Sequence, residues 1–168
     1  YILDKYDFIL NFKRNNQVTI YTNKNTKTIK LTKKVFIKYE AKHFINLATY
    51  YNSHPKNYKE VKELVNSNIL FIIKLINSFP SKKNLEIINI CSAFQLVDFK
   101  FQNTYSLSKQ MINNFLIDNN YSHKNIYLFD TFGKNDTRNK VTDVFIKKIL
   151  NNQKINIGSN KVRINLSN

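Results

Sequence analysis

Apolar positions along the 168-residue chain alternate between helical and extended spacing. The longest helical stretch runs from Lys59 to Phe79. Val61, Leu64, Val65, Ile69, Ile72, Leu75, Ile76 and Phe79 recur near every 3.6 residues there, and Pro80 ends it. A second helix is predicted from Tyr105, with Leu107, Met111 and Phe115 on one stripe and Ile112 and Leu116 beside it. A third covers Lys140 to Leu150, with Val141, Val144, Phe145 and Ile149 inward. Between these helices, His43 to Thr49, Leu85 to Ile90 and Ile126 to Phe129 read as buried strands. An ordinary core strand accounts for Phe44, Ile45 and Leu47, though not for the small residues Ala48 and Thr49 that follow them.

The front of the chain is less regular. Leu3, Tyr6, Ile9 and Leu10 fit one face of a helix within residues 1–14, Asn15 and Asn16 break it, and Gln17 to Tyr21 alternates as a strand. Residues 23–42 are polar, apart from a short strand expected at Val35 to Tyr39. At the other end, Ile155 to Ile157 and Val162 to Leu166 alternate as strands about Gly158-Ser159-Asn160. Strands interleaved with helices predict an α/β domain with a mainly parallel sheet.

Composition narrows the function classes. The longest apolar run, Ile69 to Ile76, is interrupted by Lys74 and falls far short of a membrane span, so no membrane partner is expected. The single Cys91 permits no internal disulfide and suits a reducing cytoplasm. His43, His54 and His123 are scattered, without metal-ligand spacing. A net charge of +16 raises nucleic acid as a partner. The Lys residues are dispersed, however, and Lys, Asn and Ile together make up roughly two-fifths of the chain. A nucleic-acid footprint clusters its charge. Dispersal argues instead for a solvated surface shaped by AT-rich coding sequence. The chain begins with Tyr1 rather than Met, as a fragment or a trimmed chain would.

Candidate chemistry centres on Tyr105 and Lys109. Four residues apart on a helix, they share a face. An ammonium beside a phenol favours the phenolate, which suits a group that must trade protons near neutral pH. Ser92, at the end of the predicted strand Leu85 to Ile90, can offer a hydroxyl to the same substrate oxygen. A chance pairing on a solvated helix face is the plain alternative for Tyr105 and Lys109. Asn68 is the one polar residue on the Lys59–Phe79 stripe. A buried amide must find partners, so it either caps a neighbouring loop or orders a site. Cys91 has no paired base and reads as a small buried residue.

A strand ending in Ser92, a short link, and Tyr105-Ser106-Leu107-Ser108-Lys109 opening a helix together resemble the short-chain dehydrogenase/reductase superfamily. The closer likeness is to its extended branch, the NAD-dependent epimerase/dehydratase family acting on nucleotide sugars. The segment Ile126 to Gly133 is similar to the strand and turn where that family's chain leaves the nucleotide fold. The resemblance covers the chain well from about residue 40 onward. It implies a Rossmann-like domain over 1–132 and the start of a substrate lobe over 133–168. It implies that Tyr105 exchanges a proton with the sugar oxygen, that Lys109 favours the phenolate and holds the nicotinamide ribose, and that Ser92 hydrogen-bonds the carbonyl. Ala48 would lie beside the cofactor, Asn68 would support Lys109, and Gln95, Asp130 and Arg138 would face the nucleotide sugar. A surface ion pair to Asp136 or Asp143 is the plain alternative for Arg138.

In that family an acidic residue after the second strand selects NAD. Thr22 and Lys24 stand there, with no acid between Asp7 and Glu40, so NADP is favoured over NAD. One more Lys in a Lys-rich turn explains Lys24 equally well. Neither Gly precedes Gly133, so the first strand and Gly-rich phosphate loop are expected to be missing. The expected function is an NAD(P)-dependent reductase or epimerase of nucleotide sugars in surface-polysaccharide synthesis. A homodimer is left open. The alternatives are an inactive remnant of such an enzyme and, third, a basic nucleic-acid binder.

Overall fold

The structure, a computed structural model, describes residues 5–98, 102–131, 140–158 and 166–167. It divides into two compact units, Tyr1–Ile126 and Tyr127–Asn168. The first unit opens with an antiparallel meander of β1 (Ile9–Lys13), β2 (Gln17–Tyr21) and β3 (Thr26–Lys30). Ile9, Leu10 and Phe12 satisfy a helical or an extended period equally well. The turn decides between them. Asn16 takes the left-handed backbone conformation (φ 61°), which Asn tolerates and a three-residue hairpin loop requires. The helix expected within residues 1–14 is therefore corrected to a strand over Ile9–Lys13.

The strand expected at Val35 to Tyr39 is also corrected. Lys33–Lys38 form a short helix, α1. Val35, Phe36 and Ile37 favour extended backbone, but packing overrides that preference. The Phe36 ring stacks on Phe12 at 5.3 Å and meets Phe79 edge-on at 5.0 Å, a contact that the helical backbone allows.

A three-stranded parallel sheet follows, in the order β4 (His43–Asn46), β5 (Glu86–Ser92), β6 (His123–Leu128). Phe44 lies opposite Ile87 and Asn46 opposite Asn89. The crossover from β4 to β5 is one long helical segment: α2 (Tyr58–Val65), a π-turn (Asn66–Leu70) and α3 (Phe71–Ser78). Ser67, Asn68 and Ile69 are all buried. Three successive residues of an α-helix fan across more than half its circumference, so one core-facing side cannot take all three. Widening the turn turns them inward together.

The crossover from β5 to β6 is α4 (Thr104–Asp118), capped by Asn103 and Ser106, whose side chains each bond the other's backbone N–H. The core gathers Phe44, Ile72, Ile76, Ile87, Ile112 and Leu116 between the sheet and these helices. Ile87, Asn89 and Cys91 alternate with half-buried neighbours along β5, as in a strand covered mainly on one face. β4 is accordingly not a fully buried strand: Phe44 and Asn46 are buried, but Ile45 is 52% and Leu47 71% exposed.

The helix at Tyr105 forms as expected, with a different inward stripe. Lys109, Ile112, Asn113 and Leu116 are buried, whereas Leu107 and Met111 are exposed. In the second unit, α5 (Val141–Leu150) half-buries Val144 and Phe145 and leaves Val141 and Ile149 exposed. β7 (Asp130–Thr131) pairs in parallel with β8 (Leu166–Ser167). Ile155–Ile157 form no strand, and residues 162–165 lie outside the described set. No helix among the described residues is long and apolar enough to cross a membrane.

The two stripes of α4 are separated by chemical denaturation. Leu116→Ala should lower unfolding free energy by about 2–5 kcal/mol. Met111→Ala should stay within about 0.5 kcal/mol of the native chain. Equal losses would mean that the helix is rotated relative to this structure.

Candidate active site

Three elements converge where β4 and β5 end and α4 begins. Lys109 projects from the buried side of α4 and is 4% exposed. Its Nζ donates to the carbonyl oxygens of Ala48 (3.1 Å), just beyond β4, and Ile90 (3.2 Å) in β5. Burial pushes the amine down from the ordinary lysine range to about 8, with the neighbouring Cys91 acting in the opposite sense. Burial also pushes the Cys91 thiol up, against the pull of Lys109. An inert, protonated thiol is the result, in line with the sequence reading.

One turn earlier on α4, the Tyr105 hydroxyl accepts from Thr49 Oγ1 at 3.3 Å, and the Tyr51 ring meets the Tyr105 ring edge-on at 4.9 Å. Asn68 both caps a loop and orders this corner. Its Oδ1 accepts from Tyr50 N (2.6 Å), and its Nδ2 donates to Tyr50 O (3.1 Å) and Ser108 Oγ (3.0 Å). Ser108 in turn donates to the Tyr105 carbonyl at 2.6 Å. On the other side of the π-turn, Ser67 accepts from Arg14 Nη1 (2.9 Å), while Arg14 Nη2 donates to the Thr49 carbonyl (2.8 Å). Arg14 thereby ties the β1–β2 hairpin to the residue that touches Tyr105.

Ser92 is placed differently. It caps a 3₁₀ turn, Ala93–Gln95: its Oγ accepts from Phe94 N at 3.3 Å and its N–H donates to Gln95 Oε1 at 2.8 Å. Gln95 is buried and donates to Gln110 on α4 at 3.1 Å. Ser92 thus reaches α4 through Gln95, two residues beyond the Ile90 carbonyl that holds Lys109.

The structure brings Ala48, Asn68, Tyr105 and Lys109 into one connected network. It puts Thr22 and Lys24 elsewhere, in the β2–β3 hairpin, where Thr22 bonds only Asn25 among the described contacts. That hairpin joins antiparallel strands, so the α/β unit expected at the front of the chain is replaced by the meander. Asp130 lies in β7, and Arg138 is outside the described residues.

Thr49, Ser108 and Arg14 escaped the sequence reading. Thr49 had a signal, as a small polar residue following an apolar strand. Arg14 had none, because its partners are 35 and 53 residues away.

A groove of about 1270 Å³ lies within the first unit, between β1 and β4. Phe12, Ile45 and Leu47 line it, together with Arg14, Ala48 and Thr49. Among the described residues no cluster of His, Cys, Asp and Glu could hold a metal ion. The groove reaches the Tyr105 corner through Ala48 and Thr49, and Tyr105 and Lys109 are not among the residues that line it. No glycine turn able to cradle a pyrophosphate occurs among the described residues ahead of Ala48.

No protein-family profile and no curated protein matches the chain. Among solved structures it is similar to the capsular polysaccharide assembling protein CapF from Staphylococcus aureus. The two share 18% identity with a TM-score of 0.47, over 80% of this chain and 34% of that one.

The amine of Lys109 links stability to pH. Its folded-state value, about 8, lies below its ordinary 10.5, so the unfolded chain holds the extra proton between those values. Its contribution to stability therefore rises with pH across that window and is lost as pH falls through 8. Unfolding free energies of the native chain and Lys109→Met, measured side by side, should diverge in favour of the native chain from pH 8 to 10.5. Parallel curves would place the amine in water.

Proposed function

We propose that this chain is the catalytic part of an NAD(P)-dependent reductase or epimerase acting on the keto group of a nucleotide sugar. Under this reading the sheet is the Rossmann-like half of such an enzyme. One observation carries the proposal. Lys109 is buried and held by the Ala48 and Ile90 carbonyls, one helical turn from a Tyr105 hydroxyl already engaged by Thr49. A lysine is seldom taken out of water without need. Under this reading the burial holds a cation one helical turn from a phenol, as proton transfer to a ketone oxygen would require.

Bound dinucleotide supplies the hydride. The chain's own residues do the rest. Tyr105 Oη gives its proton to the carbonyl oxygen, or takes it back in the reverse direction. Thr49 orients the phenol, and Lys109 supplies positive charge while its backbone acceptors keep it from swinging into solvent. Ser92, at the mouth of β5, offers a second hydrogen bond to the substrate oxygen. Asn68 and Ser108 keep the start of α4 against the Tyr50 loop. The groove beside Ala48 and Thr49 is large enough to admit a small molecule. The nucleotide-sugar class and the preference for NADP rest on the sequence resemblance.

Calorimetric titration of the chain with NADPH and NADH should show binding, tighter for NADPH. No binding to either would favour an inactive remnant. With a 4-keto nucleotide sugar as substrate, Tyr105→Phe should keep dinucleotide binding and lower kcat about 10²–10⁴-fold. Unchanged turnover would take Tyr105 out of the chemistry.

A further inference from the structure

Three buried asparagines, Asn46, Asn89 and Asn113, and the half-buried Asn125 are joined across the parallel sheet and α4 beside the candidate site. Asn46 Nδ2 in β4 donates to Asn89 Oδ1 in β5 at 2.9 Å. Asn89 Nδ2 donates to Asn125 Oδ1 in β6 at 3.0 Å, and Asn125 Nδ2 donates to Asn113 Oδ1 on α4 at 2.6 Å. At the other end, Asn46 Oδ1 accepts from the backbone N–H of Ala48 at 3.2 Å. Ala48 is the residue whose carbonyl accepts from Lys109, and Asn113 stands one turn after Lys109 on α4. The contacts therefore close into a ring: Lys109, Ala48, Asn46, Asn89, Asn125, Asn113 and back along the helix. The amides of Asn46, Asn89 and Asn125 donate in the same sense around it, so the bonds polarise one another.

Asparagine is depleted in strands, and at 0% exposure Asn89 must be fully satisfied by the protein. Two buried asparagines and a half-buried one, side by side on a parallel sheet, cost more than three valines would, unless something is gained. We propose that Asn46, Asn89, Asn125 and Asn113 are positioning residues, an amide ladder that sets the spacing of the three strands and α4 so that the Lys109 amine meets the Ala48 and Ile90 carbonyls. Its catalytic meaning rests on the role given to Lys109 above; its effect on the amine does not.

The ionisable group facing the amine from β5 is Cys91, whose Sγ lies 3.3 Å from Asn89 Nδ2 and 3.4 Å from Asn125 Oδ1. Tyr105 precedes it on α4, and residues 47–49 beyond β4 carry no ionisable side chain. A ladder that served only to satisfy itself could be replaced by apolar side chains at little cost to stability. A positioning ladder could not be replaced without moving the amine.

The test is competitive labelling of lysine amines with acetic anhydride across neutral to alkaline pH, read peptide by peptide by mass spectrometry. In the native chain Lys109 should titrate near 8. In Asn46→Leu/Asn89→Leu/Asn125→Leu, Ala48 loses its anchor and the amine swings to water. Its titration should rise by about one pH unit or more, with roughly fivefold less labelling at the native midpoint. A variant that unfolds cooperatively yet labels Lys109 as the native chain does would overturn the inference. Should the triple variant fail to fold, Asn113→Leu/Asn125→Leu opens the ring at α4 while Asn89 keeps Cys91. It should shift Lys109 in the same direction, and a folded form without that shift overturns the ladder equally. Labelling needs neither dinucleotide nor substrate. A chain that turns nothing over would remove the enzymatic reading and leave this result to stand or fall alone.

Discussion

Taking the Lys109 ammonium out of water is the constraint from which most of the first unit follows. A buried cation is tolerated only where fixed dipoles replace its hydration shell. Here those dipoles are two backbone carbonyls from different strands, Ala48 and Ile90. Neither is free to move, because β4 and β5 are in register from His43 to Asn46 and the Ala48 N–H is tied to Asn46. The side chain that reaches them comes from a helix whose first turn is held by its own cap, by Ser108 and by Asn68. Sheet register, helix phase and amide bonding converge on one ammonium group.

The same constraint explains what was legible in the sequence and what was not. Tyr105, Lys109 and Asn68 stood out because they were polar groups at helical spacing near apolar stripes, and the parallel sheet with helical crossovers was plain from alternating periods. The inward stripe of α4 was misread because Leu107, Met111 and Phe115 are the more apolar set. In the fold, the face carrying Lys109 and Asn113 turns inward beside Ile112 and Leu116, because their polar groups have partners waiting there. Hydrophobicity alone cannot reveal that a polar residue is expected by its surroundings.

The front of the chain was misread for a different reason. Ile9, Leu10 and Phe12 satisfy two periods at once, and the hairpin was decided by Asn16, whose left-handed backbone the periodicity of its neighbours does not announce. α1 was missed because Val35, Phe36 and Ile37 prefer strands, and only the stacked rings of Phe12, Phe36 and Phe79 overrule them. The asparagines of the sheet carried a signal that pattern reading discounts in an Asn-rich chain. Three of them stand in the strands, and Asn89 interrupts the apolar run from Ile87 to Cys91. Composition can supply a residue type in excess, yet it does not place three copies at one level of a sheet.

The π-turn at Asn66–Leu70 fixes the helix in a way its apolar stripe does not. It accommodates one residue more than an ordinary turn, so Ser67 faces Arg14 while Asn68 faces Tyr50, and α3 still lays Ile72 and Ile76 on the sheet. Removing one residue there would restore regular winding and leave Ile72 and Ile76 facing the sheet, because the wide turn absorbs the extra residue. Ser67, Asn68 and Ile69 could then no longer all turn inward, and the bonds to Arg14 and Tyr50 could not both be kept. The core of the crossover would thus survive the deletion, while the corner that holds Tyr105 would not.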